Sequence, residues 1–141
     1  MEDVRVFAVD VSHDGRGVVF GLRGELDFDS TVQLHEAGEK ELVRGRDAGP
    51  VVADCSALTF CDSSGISALL RLFRQLAEQD RVLRLAAVPD SVARLFALTG
   101  LDRVFAVHGD VSEALAADAG RRDMVAAGAD DSAQPDEGER A

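Results

Sequence analysis

Between Val51 and Leu76 the hydrophobic period changes once, and that change restricts the fold more than any other feature of the chain. Val51-Val52-Ala53-Asp54-Cys55 is a short apolar run between turn residues, which reads as a buried strand. Ile66, Leu69, Leu70, Phe73 and Leu76 then recur at helical spacing and mark an amphipathic helix. The alternation continues downstream. Val82, Leu83, Leu85 and Ala87 read as a strand, and Asp90 as the cap of a helix carrying Val92, Leu95 and Phe96 and stopped at Gly100. Val104-Phe105-Ala106-Val107 reads as a last strand, and Asp110, with Glu113 three residues on, as the cap of a last helix through about Asp118. Upstream, Val4, Val6, Ala8 or Val9 and Val11 alternate, His13-Asp14-Gly15 turns, and Val18-Val19-Phe20-Gly21-Leu22 returns as a hairpin partner. Ser30, with Gln33 at capping-box spacing, opens a polar helix with Leu34, Gly38 and Leu42 on one face. The order is β-β-α-β-α-β-α-β-α. It predicts an α/β domain whose mixed sheet is mostly parallel after an N-terminal hairpin.

The pattern stops near Gly120. Beyond it the chain is small, polar or charged, too poor in apolar area to offset its ordering entropy, so the expected division is a folded domain over 1–119 and an acidic disordered tail over 120–141. The 141 residues carry a formal net charge of -11, which argues against a nucleic-acid surface or an anionic membrane as partner. The charge serves solubility or complements a basic partner. Cys55 and Cys61 have neither zinc nor disulfide spacing and read as buried reduced thiols. No stretch reaches the length of a membrane span, and Met1-Glu2-Asp3 does not read as a signal peptide, so the cytoplasm is the expected compartment.

The segment Asp54-Cys55-Ser56-Ala57-Leu58-Thr59-Phe60-Cys61-Asp62-Ser63-Ser64-Gly65-Ile66 joins the buried strand to the strongest helix. Asp62, Ser63 and Ser64 all favour helix N-caps, and Gly65 in the first turn leaves the backbone open to close approach. A phosphate on a serine here would meet unpaired N–H groups at the positive end of a helix dipole. Taken alone, Asp-Ser-Ser-Gly reads as a cap before it reads as a modification site.

The run DCSALTFCDSSGISALLRLF closely resembles the signature of the STAS-domain family, in particular of bacterial anti-sigma factor antagonists. LRGELDFDS resembles that family's second strand and the loop after it, and VARLFALTGLDRVF its third helix and last strand, all in the family's order over about residues 4 to 118. The resemblance implies a STAS fold and a partner-switching protein of transcription control, with settings such as stress response and sporulation. Its partners would be an ATP-bound anti-sigma factor serine kinase of histidine-kinase-like fold and a serine phosphatase. Ser63 would be the phosphoacceptor. Asp27, Asp62, Ser64, Gly65 and Ile66 would lie on the partner-binding surface, Asp62 shaping the acceptor site and Ser64 starting the helix. Ile66-Ser67-Ala68 departs from the more familiar Leu-Gly-Val and bears on which partner is bound.

Other classes find less support. His13, His35 and His108 lie in turn-like or polar contexts, so no Ser-His-Asp set is apparent and no enzyme is expected. No glycine-rich loop matches a nucleotide-binding fingerprint, so no cofactor is expected and the ATP would sit on the partner. The alternative class is a STAS accessory subunit of a lipid-transport ABC complex. A nucleotide-sensing STAS domain is a third reading, which titration with GTP and ATP would test.

Overall fold

The computed structural model describes residues 6–117. The expected tail over 120–141, the end of the last helix at Asp118 and Val4 of the first strand lie outside the described residues. Within them the element order is the expected one: β1 (Ala8–Asp14), β2 (Gly17–Leu26), α1 (Thr31–Leu42), β3 (Val51–Cys61), α2 (Ser63–Ala77), β4 (Leu83–Ala86), α3 (Asp90–Thr99), β5 (Ala106–His108) and α4 (Val111–Ala116). The strands form one sheet in the order β1-β2-β3-β4-β5. β1 and β2 are the expected antiparallel hairpin, closed at Asp14 and Gly17, and all other pairings are parallel. This is the mixed, mostly parallel α/β arrangement expected.

Alternation along each strand decides which helices cover which face. Val51, Ala53, Leu83 and Leu85 face the main core, with Leu34 of α1, Leu69, Leu72 and Leu76 of α2, and Val92 and Phe96 of α3. Val52 and Ala86 point the other way, onto Ala114 and Leu115 of α4. Arg84 shares that thinner side, fully buried, and donates from Nη1 to the Ala114 carbonyl at 2.9 Å.

Several boundaries differ from the sequence reading. β3 runs six residues past Cys55, to Cys61. The extension was hidden because its buried positions, Cys55, Leu58 and Cys61, fall three apart. Register shifts between Gly21 and Arg23 and between Gly24 and Glu25 of β2 break the period of two. β4 pairs with β3 only as far as Asp54, and β1 pairs with β2 only as far as Arg23. The ends of β2 and β3 therefore pair with each other alone.

β4 is the shorter run Leu83–Ala86, and β5 begins at Ala106 because Leu101–Arg103 form a 3-10 turn. Phe105 thus packs in the core instead of standing in the strand. Its ring meets Phe73 edge-on at 5.5 Å. Phe73 itself is half-buried, and Leu72 takes the deep position on α2. Pro89 holds the N-cap position of α3, so Asp90 enters the first turn, where its charge suits the helix dipole without a cap bond. Gly100 ends α3 in the left-handed region at φ 78°, and Asp110 caps α4 by accepting from the Glu113 N–H at 2.8 Å, both as expected.

One end of the sheet, where the parallel strands begin, is fastened by an ion pair that the sequence did not reveal. Arg81 and Glu41 have almost wholly buried side chains, with Nη2 and Oε2 2.6 Å apart. Arg81 also donates from Nε to the Gly49 carbonyl at 2.8 Å and from Nη1 to the Glu41 carbonyl at 3.2 Å. Gln79 Nε2 donates to the Leu42 carbonyl at 2.8 Å. The end of α1, the loop before β3 and the turn after α2 are joined by one guanidinium and one amide.

Candidate functional site

At the opposite end, where the parallel strands finish, β2 and β3 deliver Asp27 and Asp62 side by side. Leu26 is the register partner of Cys61, and the Asp62 N–H donates to the Leu26 carbonyl at 3.3 Å. Both α1 and α2 begin here, so two helix N-termini face the same solvent.

Asp62 is the N-cap of α2. Its backbone is extended, its Oδ1 accepts from the Gly65 N–H at 3.0 Å, and its carbonyl accepts from the Ile66 N–H at 3.0 Å. Ser63 is the first helical residue and is exposed. Its hydroxyl enters none of the hydrogen bonds among the described residues. Ser64 is half-buried on the next step of the helix. First-turn amides have no intrahelical acceptor, and the Asp62 side chain engages Gly65, which leaves those of Ser63 and Ser64 toward solvent.

Gly65 is needed for a reason other than the one read from the sequence. It is buried. A Cβ there would stand 2.6 Å from the Leu26 carbonyl oxygen, 2.8 Å from Leu26 Cγ and 2.8 Å from Cys61 Sγ. The missing side chain lets α2 press against the end of β2, so the close approach is internal. Ile66 is likewise buried in the main core. Of the residues assigned to a partner surface, Asp27, Asp62 and Ser64 are half-buried, while Gly65 and Ile66 support the site from beneath; Ser63, assigned as the acceptor, is exposed.

Asp27 builds its own loop. Its Oδ1 accepts from the Asp29 N–H at 3.1 Å and the Ser30 N–H at 3.2 Å. Ser30 Oγ accepts from the Asp27 N–H at 2.9 Å and stands 2.9 Å from the Glu25 carbonyl and 3.0 Å from Asp27 Oδ1, one of which receives its single proton. The expected capping box at Ser30 and Gln33 is therefore absent. Ser30 holds the N-cap position, but its side chain turns back into the loop and caps nothing.

The loop presents a residue that the sequence reading passed over. Phe28, between Asp27 and Asp29, is 77% exposed. Val32 on the first turn of α1 and Phe60 near the end of β3 are also exposed. A phenylalanine between two aspartates in a turn was the available signal. The ionisable side chains next to Phe28 and Ser63 in the chain are the acids Glu25, Asp27, Asp29 and Asp62.

The two cysteines are free and buried, as expected. Burial, with lesser help from Asp54 at Cys55 and Asp62 at Cys61, pushes both thiols up to about 12. They stay protonated near neutrality and are poor nucleophiles. No helix among the described residues is long and apolar enough to cross a membrane.

Comparison with known proteins agrees with this architecture. The family model described as "Mlab, STAS domain" matches residues 9–117. An anti-sigma factor antagonist from Mycobacterium paratuberculosis superposes with a TM-score of 0.72 at 23% identity, over 82% of this chain and 96% of that one. The anti-sigma factor antagonist SpoIIAA in its unphosphorylated form gives 0.65 at 25% identity, over 77% and 93%. The Bacillus cell fate determinant SpoIIAA in its phosphorylated form gives 0.60 at 24% identity, over 77% and 96%.

Proposed function

Because the chain belongs to the STAS-domain family, we propose that it is an anti-sigma factor antagonist, switched off by phosphorylation of Ser63 on the kinase it binds. The observation that carries this reading is the state of Ser63. It is an exposed hydroxyl with no hydrogen-bond partner among the described residues, one residue past a formed N-cap, at the end of the sheet where two helices begin. The folds of SpoIIAA and of the mycobacterial antagonist support it.

The chemistry asks little of this chain. The Ser63 oxygen attacks the γ-phosphorus of ATP bound by the partner and the P–O bond to the β-phosphate breaks. ADP departs, and the hydroxyl proton passes to the kinase or to water. This chain supplies position: Asp62 fixes the first turn of α2, and Gly65 seats that turn on Leu26. The phosphate adds about -1.5 to -2 charges. The α2 N-terminus accommodates them within the fold. A docked complex does not, because the new group faces the diphosphate of ADP from across the interface. A loss of about 3 kcal/mol there weakens affinity about a hundredfold. A serine phosphatase resets the cycle.

The test begins with recovery of the kinase from native extract on immobilised Ser63→Ala protein, followed by labelled ATP and the wild type, Ser63→Ala and Ser64→Ala proteins. Label is expected on wild type and Ser64→Ala only. Label on Ser63→Ala but not on Ser64→Ala moves the acceptor to Ser64. Label that needs neither serine ends the partner-switching reading.

The second reading is the alternative raised by the sequence resemblance, an accessory subunit of a lipid-transport ABC complex. The same recovered partners separate the two. Mass spectrometry finds a histidine-kinase-like ATPase in the first case and transporter subunits in the second.

A further inference from the structure

Three features of the Asp27 loop fit together only if something covers them. Phe28 is among the most exposed large apolar side chains of the described residues. Its turn is held rigidly by hydrogen bonds from Asp29 and Ser30 to one carboxylate, so the ring is presented with little conformational freedom to lose on binding. It also stands at the acceptor end, two residues beyond Leu26, whose carbonyl bonds Asp62 next to Ser63. An aromatic side chain held this way, inside an acidic surround, has the make-up of an interface anchor.

We propose that Phe28 is the docking anchor for the anti-sigma kinase, inserting into an apolar pocket on that partner whose rim is basic. This rests on the phospho-switch reading above and adds where the affinity resides. The rim is argued from charge: the ionisable side chains next to Phe28 and Ser63 in the chain are the acids Glu25, Asp27, Asp29 and Asp62. A partner surface facing them must be cationic to be attracted. The division of labour follows. Phe28 and its flanking carboxylates hold the kinase, and Ser63 reaches the nucleotide, so the phosphate repels ADP at one point while the anchor sets which kinase is bound.

The test titrates the kinase that labels Ser63, loaded with a non-hydrolysable ATP analogue, with wild type, Phe28→Ala and Phe28→Leu, and with Val43→Ala as a control. Val43 lies just past the far end of α1 and is 87% exposed, so its loss removes a comparable exposed apolar group away from the site. Phe28→Ala should weaken binding at least about tenfold, Phe28→Leu less, and Val43→Ala not at all, with melting temperatures unchanged. Binding of the wild type should weaken as salt is raised. If Ser63 is labelled and Phe28→Ala binds like wild type, the anchor is wrong and the switch stands. Loss of binding through Val43→Ala equal to that through Phe28→Ala refutes a local anchor. Salt-independent affinity removes the basic rim. If no kinase labels Ser63, the switch fails and takes the anchor with it.

Discussion

The two ends of the sheet are built on opposite principles. Where the parallel strands begin, one ion pair is buried and satisfied: Arg81 makes contacts to Glu41 and Gly49 from inside the protein. Where the strands finish, Ser63 and Phe28 are exposed, the Ser63 hydroxyl has no hydrogen bond among the described residues, and their neighbours in the chain include the acids Asp27, Asp29 and Asp62. A buried ion pair is costly to break because removing one partner strands the other charge. An exposed hydroxyl costs almost nothing to replace. Stability therefore concentrates at one end and leaves the other free to change chemically. Substitutions should separate the two: large effects on folding at the first end, and at the second effects on binding with folding nearly untouched.

The largest effect is expected at Arg81. Arg81→Ala leaves the buried Glu41 carboxylate only the longer contacts to Arg44 at 3.7 Å and His13 at 3.9 Å, and should cost about 3 kcal/mol in urea unfolding. A double change of Arg81→Met and Glu41→Leu should recover most of that loss. Wild-type stability in the single variant would break the comparison at its stronger side.

Gly65→Ala comes next and lies between the two ends in character. The added methyl meets the Leu26 carbonyl and Cys61, and overpacking of this kind costs about 1–3 kcal/mol. It should also slow labelling of Ser63, since the first turn of α2 must shift. Unchanged stability would mean that the junction gives way easily and that the glycine serves the partner after all.

Asp62→Ala removes the N-cap bond to Gly65 and should cost about 1 kcal/mol, seen as a fall in melting temperature of roughly 4 °C. Asp62→Asn should keep most of it.

The smallest effect on folding is expected at Ser63 itself. Ser63→Ala and Ser63→Glu should each melt within about 0.5 kcal/mol of wild type while differing widely in kinase binding. A destabilised Ser63→Glu would show that the α2 N-terminus does not accommodate added charge, and the contrast between the ends would lose its meaning.

How far the sequence foretold these ends differs between them. The element order, the hairpin, the helix start at Asp62 and the cap at Asp110 were legible, because each rests on local periodicity or a local hydrogen bond. The Arg81–Glu41 pair was not, because its partners are 40 residues apart and nothing local marks an arginine as buried. The extension of β3 was obscured by register shifts in its neighbour, which turned an alternating pattern into one of threes. At Ser30 a correct spacing led to the wrong bond, since a hydroxyl that completes the Asp27 loop is no longer free to cap a helix. Gly65 was recognised as special, but which neighbour required it is a tertiary fact.

The pairing of β2 and β3 beyond Asp54 and Arg23 has a mechanical consequence. Ser63 is mounted at the tip of that two-stranded ribbon, with the full width of the sheet behind it, the Val6 carbonyl and Phe7 against Gly24 on one edge, and Leu26, Leu58 and Cys61 buried in the main core. A ribbon packed in this way resists opening, because bending it away would expose those buried side chains. In the proposed cycle that stiffness would hold the hydroxyl in one place, and the partner would bring its γ-phosphate to it.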